Sequence, residues 1–121
     1  ELLRDGLLLR YDPGAAPDGL EGAEGAFLAC SFWLADNYCL QGRHDDARRL
    51  FESLLALRND VGLLAEQYDP RTRAALGNFP QAFSHFALVD TAFQLAALHD
   101  GGVDRRTLRI DAVLNGSGTP R

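Results

Sequence analysis

Glu66 is the side chain whose surroundings most favour chemistry in this sequence. It follows the mostly apolar run 61–65 and precedes Gln67, Tyr68 and Asp69. A carboxylate placed between apolar residues, in a loop that leads into a buried helix, faces a partly apolar site where the protein can set its hydrogen bonds. The pattern alone leaves two roles open: a catalytic carboxylate, or a carboxylate that caps or stabilises the loop.

The other chemically capable residues form no recognisable site. Cys30 and Cys39 lie on opposite faces of one predicted helix, so they cannot form a disulfide with each other. The three histidines lie on different elements and none pairs at metal-ligand spacing: His44, His85 and His99. We therefore predict no metal site, and we expect His85 to be a core or site-lining residue.

Three helices account for most of the pattern. Residues 24–41 and 80–99 carry apolar side chains all round the helical wheel, which indicates helices buried on every side. Residues 44–58 are amphipathic, with Asp45 and Asp46 in the first turn, which is typical of a surface helix. The sequence therefore predicts an all-α fold in which two buried helices flank one surface helix.

The connections are also informative. Residues 12–23 are rich in Gly and Pro, and residues 59–79 form a connection of a length that is usually functional. Both connections lead into the N-termini of buried helices. We therefore expect them at the same end of the helix stack, where together they would form the functional site. Residues 100–121 are predicted to be a C-terminal tail.

Composition narrows the function. The chain has 121 residues, 12 basic residues that are all Arg, 17 acidic residues and a net charge of -5, which argues against a nucleic-acid partner. No apolar stretch is long enough to predict a membrane span. The sequence contains no Met. One amphipathic helix also cannot cover the apolar surfaces of two helices that are apolar all round, so we expect a piece of a longer protein. Two cysteines predicted to be thiols weakly favour a cytoplasmic location.

Three segments resemble family-15 glycoside hydrolases, which include glucoamylases, glucodextranases and bacterial and archaeal trehalases. They occur in the family's order and at similar spacing: EGAFLACSFWL at 24–34, GLLAEQYDP at 62–70 and GNFPQAFSH at 77–85. The resemblance implies an (α/α)6 barrel, of which residues 1–121 would be the C-terminal portion of one catalytic domain. The three helices would be inner, outer and inner helices of an incomplete toroid, with loops 12–23 and 59–79 on the active-site side.

The resemblance also implies the chemistry. Enzymes of this family hydrolyse an α-glucosidic bond with inversion, using a carboxylic acid that protonates the leaving oxygen and a carboxylate that activates water. Glu66 resembles the general base, and no cofactor is needed. The resemblance implies four further residues that bind the α-glucoside substrate: Glu24, Phe27, Gln67 and Tyr68.

One departure from the family pattern limits the expected activity. The family's general acid is a Glu that follows a Trp, whereas Trp33 is the one Trp here and Leu34 follows it. We therefore expect this chain alone to be inactive. Two other functions stay open: a non-enzymatic helical module that self-associates through exposed inner-helix surface, and a small sugar-binding helical domain.

Overall fold

A computed structural model describes residues 2–12 and 25–99. These residues form five short strands and three helices: β1 (Leu3–Arg4), β2 (Leu7–Leu8), β3 (Ala26–Phe27), α1 (Leu28–Leu40), α2 (His44–Leu55), β4 (Gln67–Asp69), β5 (Ala74–Leu76) and α3 (Ala82–His99). Three predicted features lie outside the described residues: Glu24, the loop 12–23 beyond Asp12, and the tail 100–121.

The predicted all-α fold is wrong, because two antiparallel sheets accompany the helices. The described residues form three helices together with five short strands, and not the purely helical inner-outer-inner part of an (α/α)6 barrel that the sequence predicts. The first sheet is the hairpin β1–β2, in which Leu3 pairs with Leu8 and Arg4 with Leu7. Its turn is Asp5-Gly6, with φ of 50° and 80°, and an Asp-Gly turn fits the twist of a tight hairpin.

Two strands of the second sheet, β4 and β5, lie within the connection 59–79, which we expected to be a loop. The strand order of this sheet is β3–β4–β5, and β4 pairs with both neighbours. At the tip of the β4–β5 hairpin, the carboxylate of Asp69 accepts hydrogen bonds from the Arg71 N–H at 2.9 Å and the Thr72 hydroxyl at 2.7 Å. These bonds close the turn and let the chain return as a paired strand.

The sheet also explains why α1 begins later than predicted. The first N–H groups of a helix lack partners within the helix. Here the N–H of Gly25 donates to Oε1 of Gln67, and the N–H of Leu28 donates to the carbonyl of Glu66. Because the strand segment supplies these acceptors, Ala26 and Phe27 are extended as β3, and the helix starts at Leu28 rather than residue 24.

The other helix boundaries shift for similar local reasons. α2 ends at Leu55 instead of Arg58, since the N–H groups of Leu57 and Arg58 bond carbonyls three residues back and tighten the chain out of the helix. α3 begins at Ala82 instead of Pro80. The side chain of Gln81 accepts the N–H of Phe83 at 3.4 Å, which places Gln81 at the N-cap.

The core lies where α1 packs against α2 and α3. Its fully buried side chains include Phe32, Leu54 and Leu64. The amphipathic prediction for α2 is confirmed, because Ala47 and Leu54 are buried while its charged side chains face outward. No helix in the described ranges is long and apolar enough to cross a membrane.

Burial of α1 and α3 on every side is not observed. Trp33 on α1 is 43% exposed, and Phe86 on α3 is 70% exposed. Three helices can cover only one face of each other, so the remaining apolar faces of α1 and α3 stay at the surface. The exposed apolar side chains of α3 share one face of that helix: Phe83, Phe86, Val89 and Phe93.

Candidate active site

Both main-chain polar groups of Glu66 are hydrogen-bonded. Its N–H donates to the carbonyl of Asn78 at 2.9 Å, and its carbonyl accepts the N–H of Leu28 at 3.0 Å. Glu66 therefore bridges the end of β5 and the start of α1. Two elements that are distant in sequence fix where its side chain leaves the backbone.

The carboxylate of Glu66 is asymmetric. Oε2 accepts the main-chain N–H of Asn78 at 3.0 Å. Among the described residues, Oε1 has no hydrogen-bond partner, and the residue as a whole is partly buried. One oxygen of the carboxylate is thus anchored on the main chain of Asn78, while the other is not used in the fold of the described residues.

The two residues before Glu66 are hydrogen-bonded to the first turn of α3. Leu64 and Ala65 are buried. The Ser84 hydroxyl donates to the carbonyl of Ala65 at 2.8 Å, and the N–H of Gln81 donates to the carbonyl of Leu64 at 3.0 Å. The backbone that leads to Glu66 is therefore tied to a helix rather than left as a free loop.

His85 adds a further hydrogen bond between α3 and the segment before Glu66. Its Nε2 accepts the N–H of Leu64 at 3.2 Å, so Nδ1 carries the proton and donates to the carbonyl of Gln81 at 2.7 Å. Both ring nitrogens are occupied by backbone groups. The expectation of a site-lining histidine fits this position, since His85 supports the strand segment and does not offer a free nitrogen.

The predicted substrate residues are only partly brought together. Phe27 lies opposite Gln67 across the β3–β4 pair, so these two side chains are on one face of the sheet. Tyr68 lies opposite Ala26 on the other face, where it packs against the core. Because Oε1 of Gln67 accepts the Gly25 N–H, part of this amide already has a structural role.

An aromatic cluster surrounds Phe27. The ring centroids of Phe27 and Phe83 are 6.4 Å apart, and Trp33 meets Phe83 edge to face at 5.8 Å. The guanidinium carbon of Arg10 lies 5.1 Å from the ring centroid of Tyr11 and 5.6 Å from that of Phe27. These contacts cannot be predicted from sequence patterns, because they depend on how the N-terminal hairpin and α3 approach β3.

The described residues show neither a metal centre nor an activated cysteine. No group of His, Cys, Asp and Glu in the described residues is arranged to hold a metal ion. Burial raises the pKa of the Cys30 thiol, and nearby Arg10 only partly offsets this. An activated cysteine nucleophile needs the opposite shift, so Cys30 is a packing residue.

Two residues that hold Glu66 were missed from the sequence. Gly77 has a positive φ of 74°, and Asn78 contributes both its N–H and its carbonyl to Glu66. The sequence signal is the Gly-Asn pair, a typical turn dipeptide, which by its position before Pro80 predicts only the approach to a helix. Only the three-dimensional pairing shows that this turn faces a carboxylate.

Comparison with known proteins defines the class. The model of the family described as glycosyl hydrolases family 15 matches residues 1–93. This chain belongs to glycosyl hydrolases family 15, which confirms the resemblance seen in the sequence.

The similar curated proteins are trehalases. The chain is 48% identical to a trehalase of Mycolicibacterium smegmatis over 90 residues, which are 74% of this chain and 14% of that protein. It is 42% identical to a trehalase of Thermoplasma volcanium over 113 residues, which are 93% of this chain and 17% of that protein. The chain thus spans a small part of these relatives. No solved structure matches it.

Proposed function

We propose that this chain supplies the general base, Glu66, to a trehalase-like hydrolase that cleaves an α-glucosidic bond with inversion. The observation that carries the proposal is the asymmetric carboxylate, with Oε2 anchored on the Asn78 N–H and Oε1 open. The trehalase relatives support an α-glucoside such as trehalose as the substrate class.

In the proposed reaction, Oε1 of Glu66 takes a proton from a water molecule as the water oxygen attacks the anomeric carbon. The bond from that carbon to the glycosidic oxygen breaks, and a second carboxylic acid protonates the departing oxygen. The reaction consumes one water, leaves one new hydroxyl group on each of the two product sugars and needs no cofactor. Since Leu34 follows Trp33, this chain lacks the family pattern for the acid.

We further propose that Phe27 and Gln67 contact the sugar, because they form a cross-strand pair and Gln67 directly follows Glu66 in the chain. Tyr68 and Glu24 remain proposed substrate residues on the family resemblance alone. Tyr68 faces the core side of the sheet, so its contact with a sugar would have to involve its polar end. For Glu24 the support is its place directly before Gly25 at the edge of the same sheet.

The isolated chain has one proposed catalytic carboxylate of the two that inversion needs, so we propose that it hydrolyses trehalose negligibly. The proposal is testable in a chimera in which the 90 matching residues replace their counterparts in the Mycolicibacterium smegmatis trehalase. Glucose release from trehalose would be measured for the chimera and for two variants, Glu66→Gln and Glu52→Gln.

General base catalysis contributes about 10²–10⁴-fold, so Glu66→Gln should lower kcat by roughly that factor with little change in KM. Glu52 is an exposed carboxylate on α2, and Glu52→Gln should leave kcat unchanged. Equal activity of the two variants would refute the assignment of Glu66.

Two further proposals concern the isolated chain. The exposed apolar face of α3 supports self-association through Phe83, Phe86, Val89 and Phe93.

The thiols of Cys30 and Cys39, which are not joined in a disulfide, support a reducing, cytoplasmic location. Fractionation of the native host with an antibody to this chain would test the second, and recovery outside the cytoplasm would contradict it.

A further inference from the structure

Gly77 lies against the Glu66 side chain with no room for a side chain of its own. A Cβ at position 77 would be 2.8 Å from Oε2 of Glu66, 3.0 Å from its Cβ and 3.2 Å from its Cδ. Real Cβ atoms essentially never approach a neighbour closer than 3.0 Å. The next residue, Asn78, donates its N–H to the same Oε2 at 3.0 Å.

We propose that Gly77 is a positioning residue that fixes which oxygen of Glu66 acts as the base. The inference rests on the proposed function of Glu66. The bare Gly77 lets Oε2 come close enough to bond the Asn78 N–H, and this bond turns Oε1 outward. Oε1 is then the atom that takes the proton from water, while Oε2 stays on the backbone.

The geometry explains why a side chain at position 77 would be harmful. Relieving the contact requires the carboxylate to move away, which breaks the bond between Oε2 and the Asn78 N–H. The water held by Oε1 would then no longer be aligned with the anomeric carbon. A displacement of about 1 Å at a reacting group can lower the rate by roughly 10²-fold.

Gly42 offers a matched control, because it has the same φ of +74° as Gly77 but nothing within 4 Å of an added Cβ. Alanine at either position meets the same backbone strain. Only alanine at 77 meets Glu66. Any difference between Gly77→Ala and Gly42→Ala therefore reports the contact with the carboxylate.

In the chimera, Gly77→Ala should lower kcat for trehalose by about 10–10²-fold and leave KM within about threefold, as expected for lost alignment rather than lost binding. Gly42→Ala should leave both parameters unchanged. Equal kcat values for the two variants, with Glu66→Gln still inactive, would overturn the positioning role and leave the proposed function standing. An active Glu66→Gln would overturn both.

A folding measurement keeps the inference testable if Gly77→Ala is unstable. In the 121-residue chain, Gly77→Ala should lower Tm more than Gly42→Ala does. In the Glu66→Gly background the two substitutions should lower Tm to a similar extent, since Oε2, Cδ and Cβ of residue 66 are all gone. An excess loss at position 77 that persists without the carboxylate would overturn the inference.

Discussion

Asn78 contacts Glu66 twice, through its N–H to Oε2 at 3.0 Å and through its carbonyl to the Glu66 N–H at 2.9 Å. One residue at the end of β5 therefore sets both the backbone and the side-chain direction of the proposed base. The short sheet makes this possible. Glu66 directly precedes β4, which pairs with β3 at the start of α1, and Asn78 follows β5, which pairs with β4 on its other side. Rigid placement of this kind is what catalytic groups need.

The Ser84 hydroxyl should contribute measurably to stability. Ser84→Ala leaves the buried carbonyl of Ala65 without its 2.8 Å hydrogen bond, which should lower the free energy of unfolding by about 1–3 kcal/mol. Ser53 is the control, since its hydroxyl makes a 2.7 Å bond to the Leu50 carbonyl at an exposed position. Ser53→Ala should change the free energy by less than about 0.5 kcal/mol. Urea unfolding of the chain measures both, and equal losses would contradict the buried role of Ser84.

The hairpin tip should make stability depend on pH. The hydrogen bond from the Thr72 hydroxyl, helped by the Arg71 N–H, holds the pKa of the Asp69 carboxyl below its ordinary value of 3.8. A carboxyl whose pKa is lower in the folded chain stabilises it above pH 3.8, and this contribution is lost as the pH falls through the folded-state pKa.

Asp69→Asn should therefore lower Tm at neutral pH and reduce the fall in Tm on acidification. Asp60→Asn is the control, because Asp60 is exposed and makes no hydrogen bond or ion pair within the described part of the chain. Thermal unfolding followed by circular dichroism from neutral to acidic pH would show the difference. Parallel profiles for the two variants would refute the role of Asp69.

The apolar face of α3 should drive self-association of the isolated chain. Phe86 on this face is 70% exposed, and Val61, which lies outside it, is 71% exposed. Phe86→Ser should shift the chain toward the monomer in sedimentation velocity, whereas Val61→Ser should not, because only Phe86 belongs to a contiguous patch. A parent chain that stays monomeric at all concentrations would contradict this proposal.

The helices could be predicted from the sequence because their signals are local. The amphipathic pattern of α2 and the all-round apolar patterns of α1 and α3 repeat over several turns. The strands could not, since two or three residues are too few to show an alternating pattern. The start of α1 differs from the prediction for another reason: the N–H groups there bond partners about forty positions away in the sequence.

The candidate site likewise has one residue that the sequence predicts and others that it does not. Glu66 could be chosen because an acidic residue after an apolar run is visible in the sequence, and the family segments pointed to the same residue. The residues that hold it could not be chosen, since the contacts of Gly77 and Ser84 depend on the fold. Tyr68 shows the converse, because its place next to Gln67 in the sequence puts its side chain on the opposite face of the strand, toward the core.

The most direct measurement of the central claim is chemical rescue of Glu66→Ala in the trehalase chimera by added formate. The substitution should lower kcat for trehalose by about 10²–10⁴-fold, as loss of a general base does. Formate can enter the space left by the side chain and replace the missing base, so glucose release should rise with formate concentration. The same formate should not raise the activity of the Glu52→Ala chimera. Undiminished activity of Glu66→Ala, or a loss that formate does not restore, would contradict the assignment of Glu66 as the general base.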